Sequence, residues 1–385
     1  MRFLRLICQE IWSFKMSGTG KLIIASGESS ADLRYASGIS TPDDFIWFFA
    51  GETRGVVMSS LEYNRAKNSA LPGVCVFHDE EMGGPERLSI IQNIARRYGL
   101  SGFTVPSDFP LIWADRIRGC GLLIKPCEGD FFPERKFKDE IEAAKITASL
   151  RQAESGCRRA FAVLRETEIA SDRALIWNGR PLTSEILRAE IDCEMMRGGM
   201  LATGTICAGG FQGSQPHNTG SGILYADKPI VMDIFPRSAE TGYWGDLTRT
   251  VVKGRPADVV QRAFDAVCKA RDAAKKALGP GVVPGAVHRA AEASMTSDGF
   301  PTGRCENGSY YGFFHGLGHG VGLDIHELPH LNPRGIKPLR GGEVITVEPG
   351  LYYPEWGGIR MEDMVFITAD GAECLTQITS DFVIE

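Results

Sequence analysis

Sixteen residues in the last quarter of the chain hold its densest chemistry. The stretch His315-Gly316-Leu317-Gly318-His319-Gly320-Val321-Gly322-Leu323-Asp324-Ile325-His326-Glu327-Leu328-Pro329-His330 carries four of the seven histidines. Imidazole is the commonest metal-ligating side chain and titrates near neutral pH, so the cluster suits metal binding, proton transfer or both. Its glycines let the backbone approach a ligand closely. A solvated loop would use the same residue types, and acids elsewhere in the chain decide between the readings. Asp233 follows the apolar run Pro229-Ile230-Val231-Met232, Asp246 opens a strand-like run to Val252, Glu348 ends Val344-Ile345-Thr346-Val347, and Glu362 precedes Asp363-Met364-Val365-Phe366-Ile367. A buried carboxylate without a cation, a proton or a partner is costly. Arg237, Arg249 and Arg360 could pair with these acids as structural salt bridges. A shared metal site accounts for the four acids and the histidine segment together, with Asp233, Asp246, His319, Glu348 and Glu362 as ligands. Four carboxylates in one pocket raise each other's pKa values, and two divalent cations cancel their charge. Oxygen-rich ligation with one imidazole suits manganese, cobalt or iron(II), and a pair of such ions suits hydrolysis at a carbonyl.

The elements that must hold these residues are legible as alternating strands and helices. Lys21–Ala25 reads as a strand, Phe45–Ala50 and Thr53–Met58 as a hairpin, and Arg87–Tyr98 as a helix stopped by Gly99. Ser101–Val105 and Leu122–Lys125 complete an α/β unit ending near Asp130. Its one histidine, His78, sits beside Asp79 and Glu80 and assembles no catalytic set. A long amphipathic helix is expected over Arg135–Glu168, with others over Thr183–Arg197, Ala257–Leu278 and Gly285–Ser297. Between them, strands are expected at Ile223–Tyr225, Pro229–Met232, Asp246–Val252, Glu343–Glu348 and Ile359–Thr368. In the last of these, period-two alternation puts Arg360, Glu362, Met364 and Phe366 on one face. His330 is read as a loop residue, and His78 and His288 as ordinary surface or core histidines.

Bulk properties exclude several function classes. At 385 residues, two domains are the default. A net charge of −6 gives no electrostatic footprint for nucleic acid or an anionic membrane. No apolar run approaches the roughly 18–20 residues that span a bilayer. Arg2 and Arg5 precede Leu6-Ile7-Cys8, but Gln9 and Glu10 break the run and no small-residue cleavage site follows. Residues 1–20 are therefore read as an N-terminal extension, and the protein is expected in the cytoplasm. Ten scattered cysteines without a CxxC pair give neither a disulfide framework nor a zinc ribbon.

The segments Asp233…Asp246-Leu247-Thr248-Arg249-Thr250, His315 to Glu327, Thr346-Val347-Glu348-Pro349-Gly350-Leu351-Tyr352 and Gly358-Ile359-Arg360-Met361-Glu362-Asp363 together resemble the pita-bread metallopeptidases, the family of Xaa-Pro aminopeptidases, prolidases, methionine aminopeptidases and the metal-free creatinases. The similarity covers roughly Lys136 to Glu385. Asp32-Leu33-Arg34-Tyr35-Ala36-Ser37-Gly38 and Ser60-Leu61-Glu62-Tyr63-Asn64-Arg65-Ala66 more weakly resemble the creatinase/prolidase N-terminal domain. The resemblance implies an α+β fold: an extension over 1–20, a smaller α/β creatinase-type domain over 21–132 and a pita-bread catalytic domain over 133–385. It also implies a homodimer holding two divalent metal ions per chain, manganese first, with cobalt, zinc or iron as alternatives. Asp233 would chelate one ion, Asp246 and Glu362 would bridge both, and His319 and Glu348 would complete the other. Glu348 would also take a proton from the attacking water. His326 would bond the scissile carbonyl, His217 would face the substrate, and His315 and Arg360 would line and brace the pocket. The expected activity is removal of an N-terminal residue from peptides with proline second, an Xaa-Pro aminopeptidase. The alternatives are an Xaa-Pro dipeptidase (prolidase), a same-fold enzyme acting on a small non-peptide substrate, or an inactive binding module. Phe235 to Gly245 is about two residues longer than the family's usual connection, which keeps the substrate class open.

Overall fold

The computed structural model describes residues 18–385, so the extension expected over 1–20 lies almost wholly outside the described residues. Contacts divide the chain into two compact units, Met1–Glu134 and Arg135–Glu385.

The first unit is built on a six-stranded mixed sheet. Its strands are β1 (Gly18–Ser26), β2 (Asp44–Ala50), β3 (Thr53–Met58), β4 (Val74–His78), β5 (Leu100–Val105) and β6 (Leu123–Pro126), in the order β4-β3-β2-β1-β5-β6. Helices α1 (Ala31–Ser37), α2 (Tyr63–Ser69), α3 (Arg87–Tyr98) and α4 (Leu111–Gly119) complete it. The central strands are apolar at successive positions because both faces are covered. Leu22, Ile24, Ile46 and Phe48 enter one core with Ile91 and Ile94 of α3. Ile23, Phe45 and Trp47 enter the other with Leu33, Phe131 and Phe132. Each such fully buried side chain contributes about 1.5–3 kcal/mol. Gly99, at φ 64, ends α3 in the left-handed conformation that the sequence predicts.

The second unit is two helix pairs packed on two small sheets. Helix α5 (Glu140–Arg165) packs on α6 (Ser184–Arg197), and α7 (Asp258–Ala277) packs on α8 (Pro284–Ser297). Helix α5 starts later than the expected Arg135, at a capping box in which Asp139 Oδ1 accepts from Glu142 N and Glu142 Oε2 accepts from Asp139 N. One sheet joins Ile206–Gly209, Ile230–Ile234, Leu247–Lys253 and Val383–Ile384. The other joins Glu327–Leu331, Gly318–Gly320, Val344–Val347, Asp363–Ile367 and Ala372–Cys374. Ile345, Val347, Val365 and Ile367 of this second sheet share a core with α7 and α8.

Three expectations are corrected. Ile223–Tyr225 is no regular strand; Ile223 and Tyr225 make only isolated bridges, to Thr183 and Ala174. The run Ile359–Thr368 is broken at Met361 and Glu362, where the chain leaves a ladder with Gly350–Tyr353 and joins one with Val344–Val347. His330 lies on the Glu327–Leu331 strand, paired directly with His319, and is not in a loop. Among the described residues, no helix is long and apolar enough to cross a membrane.

Candidate metal centre and active site

The two sheets of the second unit meet at their strand ends, and the acids sit there. Asp246 precedes Leu247–Lys253, Glu348 follows Val344–Val347, and Glu362 occupies the break between Gly357–Arg360 and Asp363–Ile367. Where a chain leaves its ladder, a side chain can turn toward the neighbouring sheet. Asp233 lies near the end of Ile230–Ile234, directly opposite Ile206 on one side and Thr248 on the other. Thr248 Oγ1 donates to Glu362 Oε2 at 2.7 Å, and Glu362 N donates to Thr248 O at 3.1 Å, so Glu362 is fixed across the junction. Arg249, 1% exposed, donates to the Glu362 carbonyl and to Asp363 Oδ1. It pairs with Asp363 and not with a candidate ligand.

His319 is delivered by close backbone approach. A Cβ on Gly318 would lie 2.0 Å from Thr346 O, and one on Gly320 would lie 2.3 Å from Leu328 O. Only glycine allows strands this near on both sides. His319 N donates to Thr346 Oγ1, which in turn donates to Glu348 Oε1 at 3.2 Å. The ring's Nδ1 lies 3.1 Å from Gly320 O. Burial lowers its pKa, so the ring is neutral, and with Nδ1–H donating to that carbonyl, Nε2 carries the lone pair. Nε2 lies 3.3 Å from Glu348 Oε1 and 3.6 Å from Asp246 Oδ2. Three acceptors facing one another require a cation or a proton.

The donor set fits a divalent metal. Single ligand atoms of Asp246, His319 and Glu362 all lie within 4.8 Å of one another. Asp233 Oδ1 is buried without a hydrogen-bond partner among the described residues. Burial and then the charges of Asp233 and Glu348 hold Asp246 well above the usual carboxylate range. Burial, followed by Asp246, Glu348 and Asp233, does the same to Glu362. Burial pushes Glu348 up to about 7, against the pull of Arg360.

Asp233 is held from its other oxygen. Arg360 Nη2 donates to Asp233 Oδ2 at 2.7 Å, Nη1 donates to Tyr352 Oη at 2.9 Å, and Nε donates to Thr248 Oγ1 at 3.3 Å. Tyr352 Oη lies 2.9 Å from His315 Nε2, and His315 Nδ1 lies 2.7 Å from Gly316 O. Burial, then Arg360, pushes His315 down to about 3. His326 is more exposed and stands edge-on to His319, ring centres 4.4 Å apart. Its segment is tied to the approach to α5 through Glu327, which accepts from Arg135 Nη2 at 2.7 Å and Lys138 Nζ at 3.0 Å.

All nine residues singled out from the sequence, His217, Asp233, Asp246, His315, His319, His326, Glu348, Arg360 and Glu362, line one cleft of about 1480 Å³. Sequence reasoning missed Tyr352, Thr248 and Thr346 as parts of the hydrogen-bonding frame. His288, read as an ordinary histidine, also lines the cleft, as do Phe235, Glu292 and His330.

A sequence profile of metallopeptidase family M24 matches residues 144–369. An Xaa-Pro dipeptidase of Pyrococcus furiosus is 36% identical over 174 residues, 45% of this chain and 47% of that protein. An Xaa-Pro dipeptidase of Lactobacillus delbrueckii subsp. lactis is 27% identical over 249 residues, 64% of this chain and 61% of that protein. The chain thus spans about half to three fifths of the length of these relatives. In three dimensions it is similar to an X-Pro aminopeptidase from Thermotoga maritima MSB8, with TM-score 0.81 at 24% identity over 95% of this chain and 97% of that one. It is also similar to a prolidase from Pyrococcus furiosus, with TM-score 0.77 at 23% identity over 94% and 96%. These likenesses bear out the expected fold class: a pita-bread unit preceded by a smaller α/β unit.

Proposed function

The chain belongs to metallopeptidase family M24, and from that premise we propose that it is a metal-dependent Xaa-Pro dipeptidase. One observation carries the reading: His319 Nε2, Asp246, Glu348, Glu362 and the unpartnered Asp233 Oδ1 converge in a cleft that His217 and His326 also line. The sequence alone put an aminopeptidase first; the names of the relatives at 36% and 27% identity favour the dipeptidase.

Asp246, His319 and Glu362 would hold the cation, with Asp233 and Glu348 extending the set to two ions, manganese first. When bound, divalent cations polarise a carbonyl and acidify water. The chain's own groups do the rest. Glu348 would take the proton of the attacking water and return it to the leaving amine. His326, held beside His319, would donate to the carbonyl oxygen as charge develops there, an effect worth about 3 kcal/mol for comparable donors. His217 approaches from the Gln215–Asn218 turn, which Asn218 Nδ2 closes on Gln215 Oε1. His315, neutral and anchored by Tyr352, positions Arg360 and moves no proton.

The test is release of alanine from alanyl-proline and from alanyl-prolyl-alanine, alongside turnover of small non-peptide substrates, by manganese- or cobalt-loaded protein. Cleavage of the dipeptide in preference to the tripeptide is expected. Preference for the tripeptide would restore the aminopeptidase reading, and no cleavage of any peptide with metal bound would sink the peptidase reading altogether.

A further inference from the structure

The cleft extends along α8 to two side chains that the chemistry above does not use. His288 and Glu292 are one turn apart and share a face of the helix. His288 is 3% exposed and stacks on Phe313, ring centres 5.1 Å apart. The ring lies within hydrogen-bonding reach of the Leu331 carbonyl, and its Nδ1 is buried with no partner among the described residues. A neutral imidazole has one donor nitrogen and one acceptor. With the donor on the Leu331 carbonyl, Nδ1 keeps an unpaired lone pair, and its residue lines the cleft. Burial lowers the pKa of the ring, which keeps it neutral at neutral pH.

Glu292 is half-buried and makes no ion pair or side-chain hydrogen bond among the described residues. Five acids line the cleft, and Glu292 alone is not a candidate metal ligand. Among the described residues neither Arg289, whose Nη1 donates to Pro333 O, nor Arg334 forms an ion pair with it. A free acceptor and a free carboxylate side by side form a receptor for a cationic group rich in N–H donors.

We propose that His288 and Glu292 form a recognition subsite for a protonated amine or guanidinium on the side chain that precedes proline in the substrate. The assignment to that side chain rests on the dipeptidase reading, since an Xaa-Pro dipeptide has one side chain able to carry a cation. A cleft of about 1480 Å³ leaves room for an extended one, ordinary ligand pockets being roughly 300–1,000 Å³.

The experiment compares lysyl-proline with norleucyl-proline, which has the same chain length without the ammonium. Calorimetric binding and turnover are both read, on manganese-loaded protein. Lysyl-proline should bind about tenfold more tightly, the size of one charged hydrogen bond. Glu292→Gln should bring the ratio close to one. His288→Phe, which keeps an aromatic ring on Phe313 and removes the lone pair, should reduce it. Equal affinities in the unaltered protein, or a ratio that Glu292→Gln leaves intact, overturn the subsite. If lysyl-proline binds with a Glu292-dependent preference and neither dipeptide is cut, the subsite stands and the peptidase reading falls. If both are cut with equal KM and Glu292→Gln alters neither, the reverse holds.

Discussion

Arg360 has only donors, so each partner along its side chain must accept: Asp233 Oδ2, Tyr352 Oη and Thr248 Oγ1. Tyr352 therefore spends its single proton on His315 Nε2, and His315 donates from Nδ1 to Gly316 O. The donations run outward from Arg360, one way to the Asp233 carboxylate in the metal set and the other way through Tyr352 and His315 to the Gly316 carbonyl. Removing the Tyr352 oxygen leaves a buried guanidinium nitrogen and a buried imidazole nitrogen without partners. Tyr352→Phe should cost about 2–3 kcal/mol of stability and lower kcat/KM about tenfold while metal content stays constant. Full activity with an unchanged melting temperature would show that Asp233 is held by other means. Asp246→Asn makes a different prediction. It deletes a ligand and also one of four crowded negative charges, so it should abolish the thermal shift on adding manganese, which is about 2.7 kcal/mol at a hundredfold excess over Kd. It should not destabilise the metal-free protein; a large loss there would mean that the acids repel less than their burial implies. The metal candidates were legible in the sequence because carboxylates in apolar runs are anomalous. Tyr352 was not, because a tyrosine in Gly350–Tyr353 reads as core, and only register says where its hydroxyl points.

The two glycines beside His319 show how an element delivers a ligand. The sequence reads them as allowing close approach to a ligand; neither has a left-handed φ, and what they approach is neighbouring backbone. Their role is proximity, since the carbonyls of Thr346 and Leu328 occupy the space a side chain would need. Gly318→Ala would force the Val344–Val347 strand away by an ångström or more and carry His319 from Glu348. We expect a loss of about 1–3 kcal/mol and at least tenfold weaker metal binding by calorimetry. Gly316→Ala is the control, because a Cβ there meets nothing nearer than Asn332 Cβ at 3.5 Å, and it should leave metal affinity as it is. Equal metal affinity in both variants would dismiss close approach as the reason for the glycine. The same scale explains the misread strand. From Ile359 to Ile367 no glycine or proline interrupts the run, so no turn signal marks the point where the chain passes from one ladder to another. That handover is a tertiary fact, and it places Glu362 in the junction where strand-end geometry frees its carboxylate. Ile223–Tyr225 fails for a related reason: its apolar residues find only single bridges, to Thr183 and Ala174.

At the scale of the whole chain, each unit has its own core, and the cleft is lined only by residues between Gly204 and Glu362. The length of the chain already suggests two domains. The choice between dipeptidase and aminopeptidase was not legible in the same way, because both expectations rest on the same site residues. Metal binding gives the division a measurable consequence. A ligand that binds only the folded state raises the free energy of every opening that breaks its site, and leaves openings elsewhere unaffected. The five candidate ligands tie the Ile230–Ile234 and Leu247–Lys253 strands of one sheet to Gly318–Gly320, Val344–Val347 and Asp363–Ile367 of the other. Without a cation those acids repel across the junction; with one they hold it closed. Hydrogen exchange on the full chain, with and without manganese, should therefore show slower exchange in all five strands, by up to about a hundredfold at a hundredfold excess over Kd. Amides in β1 to β6 should exchange at the same rate in both states. Protection confined to the His315–His330 segment would mean that the histidines bind metal without the acids. Equal protection throughout β1 to β6 would mean that the first unit unfolds together with the site.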